Sequence, residues 1–254
     1  MEPLQGGLST EREMTMRPPG VEFNTFTIAA RCERTRRLGI GIATRSLAVG
    51  TRCSYIKPDV GIVVVQATSN PPLGYLGVKL LELGYSAPKV LRELEDSDVH
   101  LQYRQVAVID ALGHAAAFTG TDNRPWAGHL VKQNHAALGN VLLGEHVVKA
   151  MSDAFEAAVD ESLEERLLRG VEAGRDAGGQ HGGQKSAALL VYGHPSYPEI
   201  DLRVDEHKEP VAELRRIFDL YRPLVPYYNL HVSDPRGLPP YDVWMKQQEQ
   251  LTGG

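Results

Sequence analysis

Cysteine is scarce in this chain of 254 residues, where Cys32 and Cys53 stand alone. Two thiols make no disulfide framework, which excludes a stapled secreted scaffold and gives a reducing, cytoplasmic setting as the expectation. Long apolar runs are missing too. No stretch approaches the roughly 20 residues of a membrane span, and the opening MEPLQGGLSTEREMTMRPPG lacks the apolar core of a signal peptide. Charge of one sign does not accumulate either: the net charge is −5, and the densest basic stretch, RCERTRR at 31–37, reads as an exposed turn. Neither a nucleic acid nor a membrane is therefore expected as a partner. The nine histidines form no HExxH and no Cys/His cluster, so no metal and no cofactor are expected.

What is present is ordinary globular material, 42% hydrophobic and 23% charged, enough for a sizeable core. Residues 1–23 are polar and aperiodic and read as a tail or leader. TFTIAAR (25–31) and LGIGIAT (38–44) read as a hairpin. VGIVVVQAT (60–68) reads as a strand buried on both faces. Helical spacing follows over 73–84, with Gly84 as its stop, and over 86–95, with Ser86 as N-cap. Strands are predicted again over 103–110, 114–120 and 135–140, and helices over 145–158 and 161–174. GGQHGGQ (178–184) reads as a flexible loop. Strands over 185–192 and 200–207 and a helix over 210–221 complete the core. The segment 221–254, rich in Pro and Tyr, reads as an irregular arm whose aromatics suit a subunit interface, so a homo-oligomer is expected. Hairpins and paired helices without βαβ alternation predict an α+β fold, two packed antiparallel sheets covered by helices.

Seven ordered blocks then resemble one family. TFTIAAR, GIGIATRSLAVG, VVVQATSNPPLG, AVIDALGHAAAFTGTDNRPWAGH, LGNVLLG, QKSAALLVY and DLRVDEHKEPVAEL are similar to the domain of unknown function 1028 family, over about residues 24–220. That family is placed among the Ntn-hydrolase-like proteins. The resemblance implies a four-layer αββα sandwich and an amidohydrolase acting on a small amide or peptide-like substrate. In such enzymes a residue at the start of the first strand supplies a nucleophilic side chain and, through its free α-amine, the base. The matching residue is Thr25. Here Asn24 precedes it in place of an initiator methionine, so an N-terminal threonine requires either cleavage at Asn24–Thr25 or a true start that differs from this sequence. The alternative is that Thr25 is a plain β-branched strand residue, and Thr27, on the same face, is the weaker candidate.

Arg45 ends the second predicted strand, and its fixed charge would hold a nearby α-amine unprotonated and steady an oxyanion. Ser46 could hydrogen-bond the nucleophile. Gln66 and Asn70 leave the buried strand where an amide can bind a substrate carbonyl. Asp122, Trp126 and His129 lie in a polar loop suited to a substrate rim. Asn140, by the resemblance, could donate to an oxyanion. Cys53, beside Arg52, is an alternative nucleophile needing no processing, as is Ser46. A non-catalytic binding or assembly protein is the remaining alternative. Asp201, Arg203, Asp205 and His207 share a predicted strand face, read as a solvated face capping the next helix. GGQHGGQKS imitates a phosphate loop but runs into a strand.

Overall fold

A computed structural model describes residues 24–194 and 196–252. The tail expected over residues 1–23 lies outside the described residues. Six strands form the first sheet: β1 (Thr25–Arg31), β2 (Leu38–Thr44), β7 (Gly128–Lys132), β8 (His135–Asn140), β9 (Ser186–Tyr192) and β10 (Pro198–Val204). Their order is β10-β9-β2-β1-β8-β7, antiparallel throughout. The second sheet holds β3 (Ser54–Lys57), β4 (Gly61–Ala67), β5 (Arg104–Asp110) and β6 (Ala115–Thr119) in sequence order. Helices α1 (Pro71–Glu82) and α2 (Ala87–Ser97) cover the second sheet. Helices α3 (Glu145–Ala157), α4 (Leu163–Asp176) and α5 (Pro210–Tyr221) cover the first. The result is the expected αββα sandwich.

The two-residue period of a strand divides each central strand between two cores. On β1, Phe26, Ile28 and Ala30 join the core under α3, α4 and α5. Ala29 joins the sheet-to-sheet core with Ile40, Ile62 and Ile109, which puts Thr25 and Thr27 on that same inner face. On β4, Ile62 and Val64 face the first sheet while Val63 and Val65 pack under α1 and α2. Apolar residues are wanted on both faces, so these strands show no polar alternation. Gly41 lets α4 settle onto β2: a Cβ there would lie 2.7 Å from Val171 Cγ2 and 3.1 Å from the Leu167 carbonyl oxygen.

Several boundaries differ from the sequence reading. The short strands β3 and β7 were hidden, the first by its four-residue length and the second inside a run read as loop, so His129 is a strand residue. Helix α1 begins at Pro71, because a proline costs nothing in the first helical turn. The strand predicted over 200–207 stops at Val204. Asp205 and His207 therefore leave the sheet: Asp205 pairs with Arg203 at 3.0 Å, and His207 Nδ1 accepts the Glu209 N–H at 3.0 Å beside the start of α5. The arm is not irregular. It carries α6 (Val225–Ser233) and α7 (Tyr241–Thr252), with Pro226 again in a first turn. Part of its aromatic content is spent internally, since Tyr227 is buried and packs on Trp244 and Tyr241 with ring centroids 5.5 and 5.9 Å away.

Candidate active site

Thr25 opens the central strand of the first sheet, paired with Thr44 of β2 on one side and Asn140 of β8 on the other. All three are buried. The Thr44 hydroxyl donates to the Asn24 carbonyl oxygen at 2.7 Å. Its single proton is thereby committed, so the Thr25 hydroxyl is the donor in the 3.0 Å contact between Oγ1 atoms. The Asn24 carbonyl also accepts the Gln180 amide at 2.5 Å and the Arg45 backbone N–H at 3.1 Å. Three donors thus converge on the carbonyl of the peptide bond that precedes Thr25. The Asn24 carboxamide donates to the His181 carbonyl at 2.8 Å. The loop expected to be flexible, 178–184, is what supplies Gln180 and His181. Gly178, Gly179, Gly182 and Gly183 take left-handed φ of 101°, 60°, 81° and 71°, a path that glycine follows without steric cost.

A second set of polar side chains lies between the sheets. Thr27 donates to Gln66 Oε1 at 2.5 Å, and Gln66 Nε2 donates to Gln105 Oε1 at 2.9 Å. Asn140 Nδ2 donates to the same Gln105 oxygen at 2.9 Å. Gln105 Nε2 reaches the Gly139 carbonyl at 2.7 Å and the Thr119 hydroxyl at 3.1 Å. The Thr119 hydroxyl also lies 2.8 Å from His129 Nδ1, within hydrogen-bond distance. Burial without partners would cost each amide about 1–3 kcal/mol, and the network avoids that. Ala67 and Val141, directly after Gln66 and Asn140, hold φ of 65° and 55°. A β-branched residue in that region is strained, and such strain gathers at functional sites.

Of the residues predicted for the site, Thr25, Gln66 and Asn140 come together. Arg45 is exposed and contributes its backbone N–H, while its guanidinium lies against Gly182 of the loop. Thr44, not Ser46, contacts the nucleophile. The Ser46 hydroxyl is buried and has no hydrogen-bond partner among the described residues, so no base activates it. Asn70 precedes α1 and donates to Asp98 at 3.0 Å, outside the threonine cluster. Trp126 and His129 line a cleft of about 800 Å³ with Thr119, Val148 and Lys149. Asp122 lies in the preceding loop, its N–H on the Gln102 carbonyl at 3.0 Å. Loss of solvent around His129 lowers its pKa and favours the neutral ring. Cys53 fails as an alternative: burial pushes its thiol up to about 12 against the weaker pull of Arg52, leaving almost no thiolate at neutral pH. No group of His, Cys, Asp and Glu able to hold a metal occurs among the described residues.

Thr44, Gln105, Thr119 and Gln180 escaped sequence reasoning, and Asn24 entered it only as the residue before Thr25. A glutamine inside the apolar run of β5 was the one visible signal. Gln180 sat in a glycine-rich loop that gave no hint of where it folds.

A protein from Silicibacter pomeroyi of known crystal structure, carrying the same family model, superposes with a TM-score of 0.73 at 32% identity, over 78% of this chain and 89% of that one. Anbu (ancestral beta-subunit) from Yersinia bercovieri matches over 84% of this chain and 98% of its own at 13% identity, with a TM-score of 0.40. A Gly-1 mutant of Anbu from Hyphomicrobium sp. strain MC1 matches over 78% and 95% at 15% identity, with a TM-score of 0.39. No curated protein matches the chain. A family model described as a family of unknown function matches residues 25–214, and the chain belongs to that family, DUF1028.

Proposed function

We propose that the protein is an amidohydrolase of the N-terminal-nucleophile type, in which Thr25 becomes the first residue after the Asn24–Thr25 bond is cut. The observation that carries this reading is the line of two hydroxyls from Thr25 through Thr44 to the Asn24 carbonyl oxygen. Along it, the Thr25 proton passes to Thr44 as the Thr44 proton passes to the carbonyl oxygen. A bond then forms between Thr25 Oγ1 and the Asn24 carbonyl carbon. The proton moves on to the Thr25 nitrogen, the C–N bond breaks, and an ester remains. Water hydrolyses the ester, releasing an Asn24 carboxylate and freeing both the hydroxyl and the α-amine of Thr25. Gln180 and the Arg45 N–H hold this oxygen in place as its carbon becomes tetrahedral.

In the processed protein the α-amine, with a reference pKa of roughly 7.7–8.0, takes the hydroxyl proton. Thr25 attacks a substrate amide, the proton passes to the departing amine, and water hydrolyses the acyl-enzyme. The Asn140–Gln105–Gln66 network holds the strand ends in place for this chemistry. Trp126 and His129 line the approach for the substrate. A homo-oligomer assembled through α6 and α7 is part of this reading, supported by the exposed Tyr228, Tyr241 and Val243.

The test follows leader release from the full chain by intact mass. Thr44→Val is expected to slow release at least about tenfold, the rate equivalent of 1.4 kcal/mol in the barrier. Release at an unchanged rate from Thr44→Val would contradict the relay. A wild-type chain that keeps its leader and hydrolyses no amide would leave the non-catalytic binding reading in its place.

A further inference from the structure

We infer that the niche occupied by Asn24 becomes the acyl subsite of the processed protein, and that the substrate carries a carboxamide-bearing acyl group of asparagine size. This rests on the reading of Thr25 as a nucleophile exposed by processing. The ester formed when Thr25 attacks the Asn24 carbonyl is an asparaginyl ester of the Thr25 hydroxyl. The acyl-enzyme formed from any asparaginyl amide has the same bond to the same oxygen. A site shaped to hold the first therefore also holds the second.

The niche is closed and selective. Asn24 is 0% exposed. When the leader departs, its carbonyl vacates three donors: the Thr44 hydroxyl, the Gln180 amide and the Arg45 N–H. An incoming acyl oxygen meets the same three. The Asn24 side chain vacates the His181 carbonyl, which accepted its N–H at 2.8 Å. With Asn24 in place, Gln180 Oε1 and Asn24 Oδ1 both stay unpaired, so among the described residues the wall acceptor that the carboxamide NH2 serves is the His181 carbonyl. An aspartyl group of equal size has only acceptors there and meets the His181 carbonyl with a charge. A leucyl group of similar bulk leaves the His181 carbonyl unpaired.

The experiment uses the full chain, its start checked by intact mass, with acetyl-asparaginyl, acetyl-aspartyl and acetyl-leucyl p-nitroanilides as probes. The expected result is a kcat/KM for the asparaginyl compound at least about tenfold above either of the others, as follows when a site pairs a substrate N–H that its analogues lack. Hydrolysis of all three within threefold would overturn the inference and leave the nucleophile standing. Preference for the aspartyl or leucyl compound would do the same. A chain that loses its leader but cleaves none of the three would also overturn the inference alone. A chain that retains its leader and cleaves none would overturn the nucleophile reading and the inference with it.

Discussion

The space between the two sheets has two unlike ends. At one, Ala29, Leu38, Ile40, Ile62 and Ile109 interlock as an ordinary apolar core. At the other, on the same strands and facing the same way, lie Thr25, Thr27, Thr44, Gln66, Gln105 and Asn140, all buried. The apolar end is explained by the hydrophobic effect alone. The polar end is not, since every amide there needs a partner and several partners must be fixed together. Such an end is costly to build for stability, and its Thr25 and Thr44 hydroxyls form a line that ends on the carbonyl ahead of the strand. The difference separates the part of the sandwich that holds the fold from the part assigned to chemistry.

The comparison breaks most sharply at Thr25. Thr25→Ala is expected to abolish leader release and hydrolysis while leaving the unfolding midpoint close to wild type, read by intact mass and urea denaturation. Loss of folding instead would mark Thr25 as structural. Next comes the contrast between ends. Gln105→Leu strands Gln66, Asn140 and the Gly139 carbonyl, and should cost about 3 kcal/mol. Ile109→Val at the apolar end should cost about 1 kcal/mol. Equal losses would erase the distinction.

A smaller effect is set by pH at the far end of β8. His135 is buried against Phe155 with Nε2 on the Ser152 hydroxyl at 2.8 Å, and burial lowers its pKa. The unfolded chain then binds the proton more readily than the folded one. Its contribution is complete above the ordinary histidine range near 6.5 and is lost as pH falls through and below it. The urea midpoint should drop between pH 7.5 and 5.5, and His135→Gln should flatten that slope. An unchanged slope in the variant would assign the pH dependence elsewhere. The smallest effect belongs to Cys53, whose buried, protonated thiol should resist iodoacetamide in the native protein. Cys53→Ala should leave hydrolysis unchanged, and loss of activity would return the thiol to the mechanism.

The layered architecture was legible because buried strands and amphipathic helices carry strong periodic signals. The β1–β2 hairpin, the β4 run, the start of α2 after Ser86 and the left-handed turn at Gly84 follow from local residue chemistry. Strands β3 and β7 were not legible, because four or five residues with a glycine or flanking proline look like loop. Thr25 and Asn140 were found through a family resemblance, and Gln66 as a polar residue at a strand end. Gln180 could not be found: its role arises from a contact 156 residues away in sequence, and no local pattern encodes such a closure. Arg45 was found for its charge, yet what it brings to Asn24 is a backbone N–H, which any residue could supply.

The central claim is that Thr25 becomes the amino terminus. Intact mass with N-terminal sequencing of the purified full-length protein tests it most directly. The account predicts a chain that begins Thr-Phe-Thr-Ile, together with a released peptide ending in Asn24. A folded protein that keeps residues 1–24 after prolonged incubation would contradict it, because an internal Thr25 has no α-amine to serve as base.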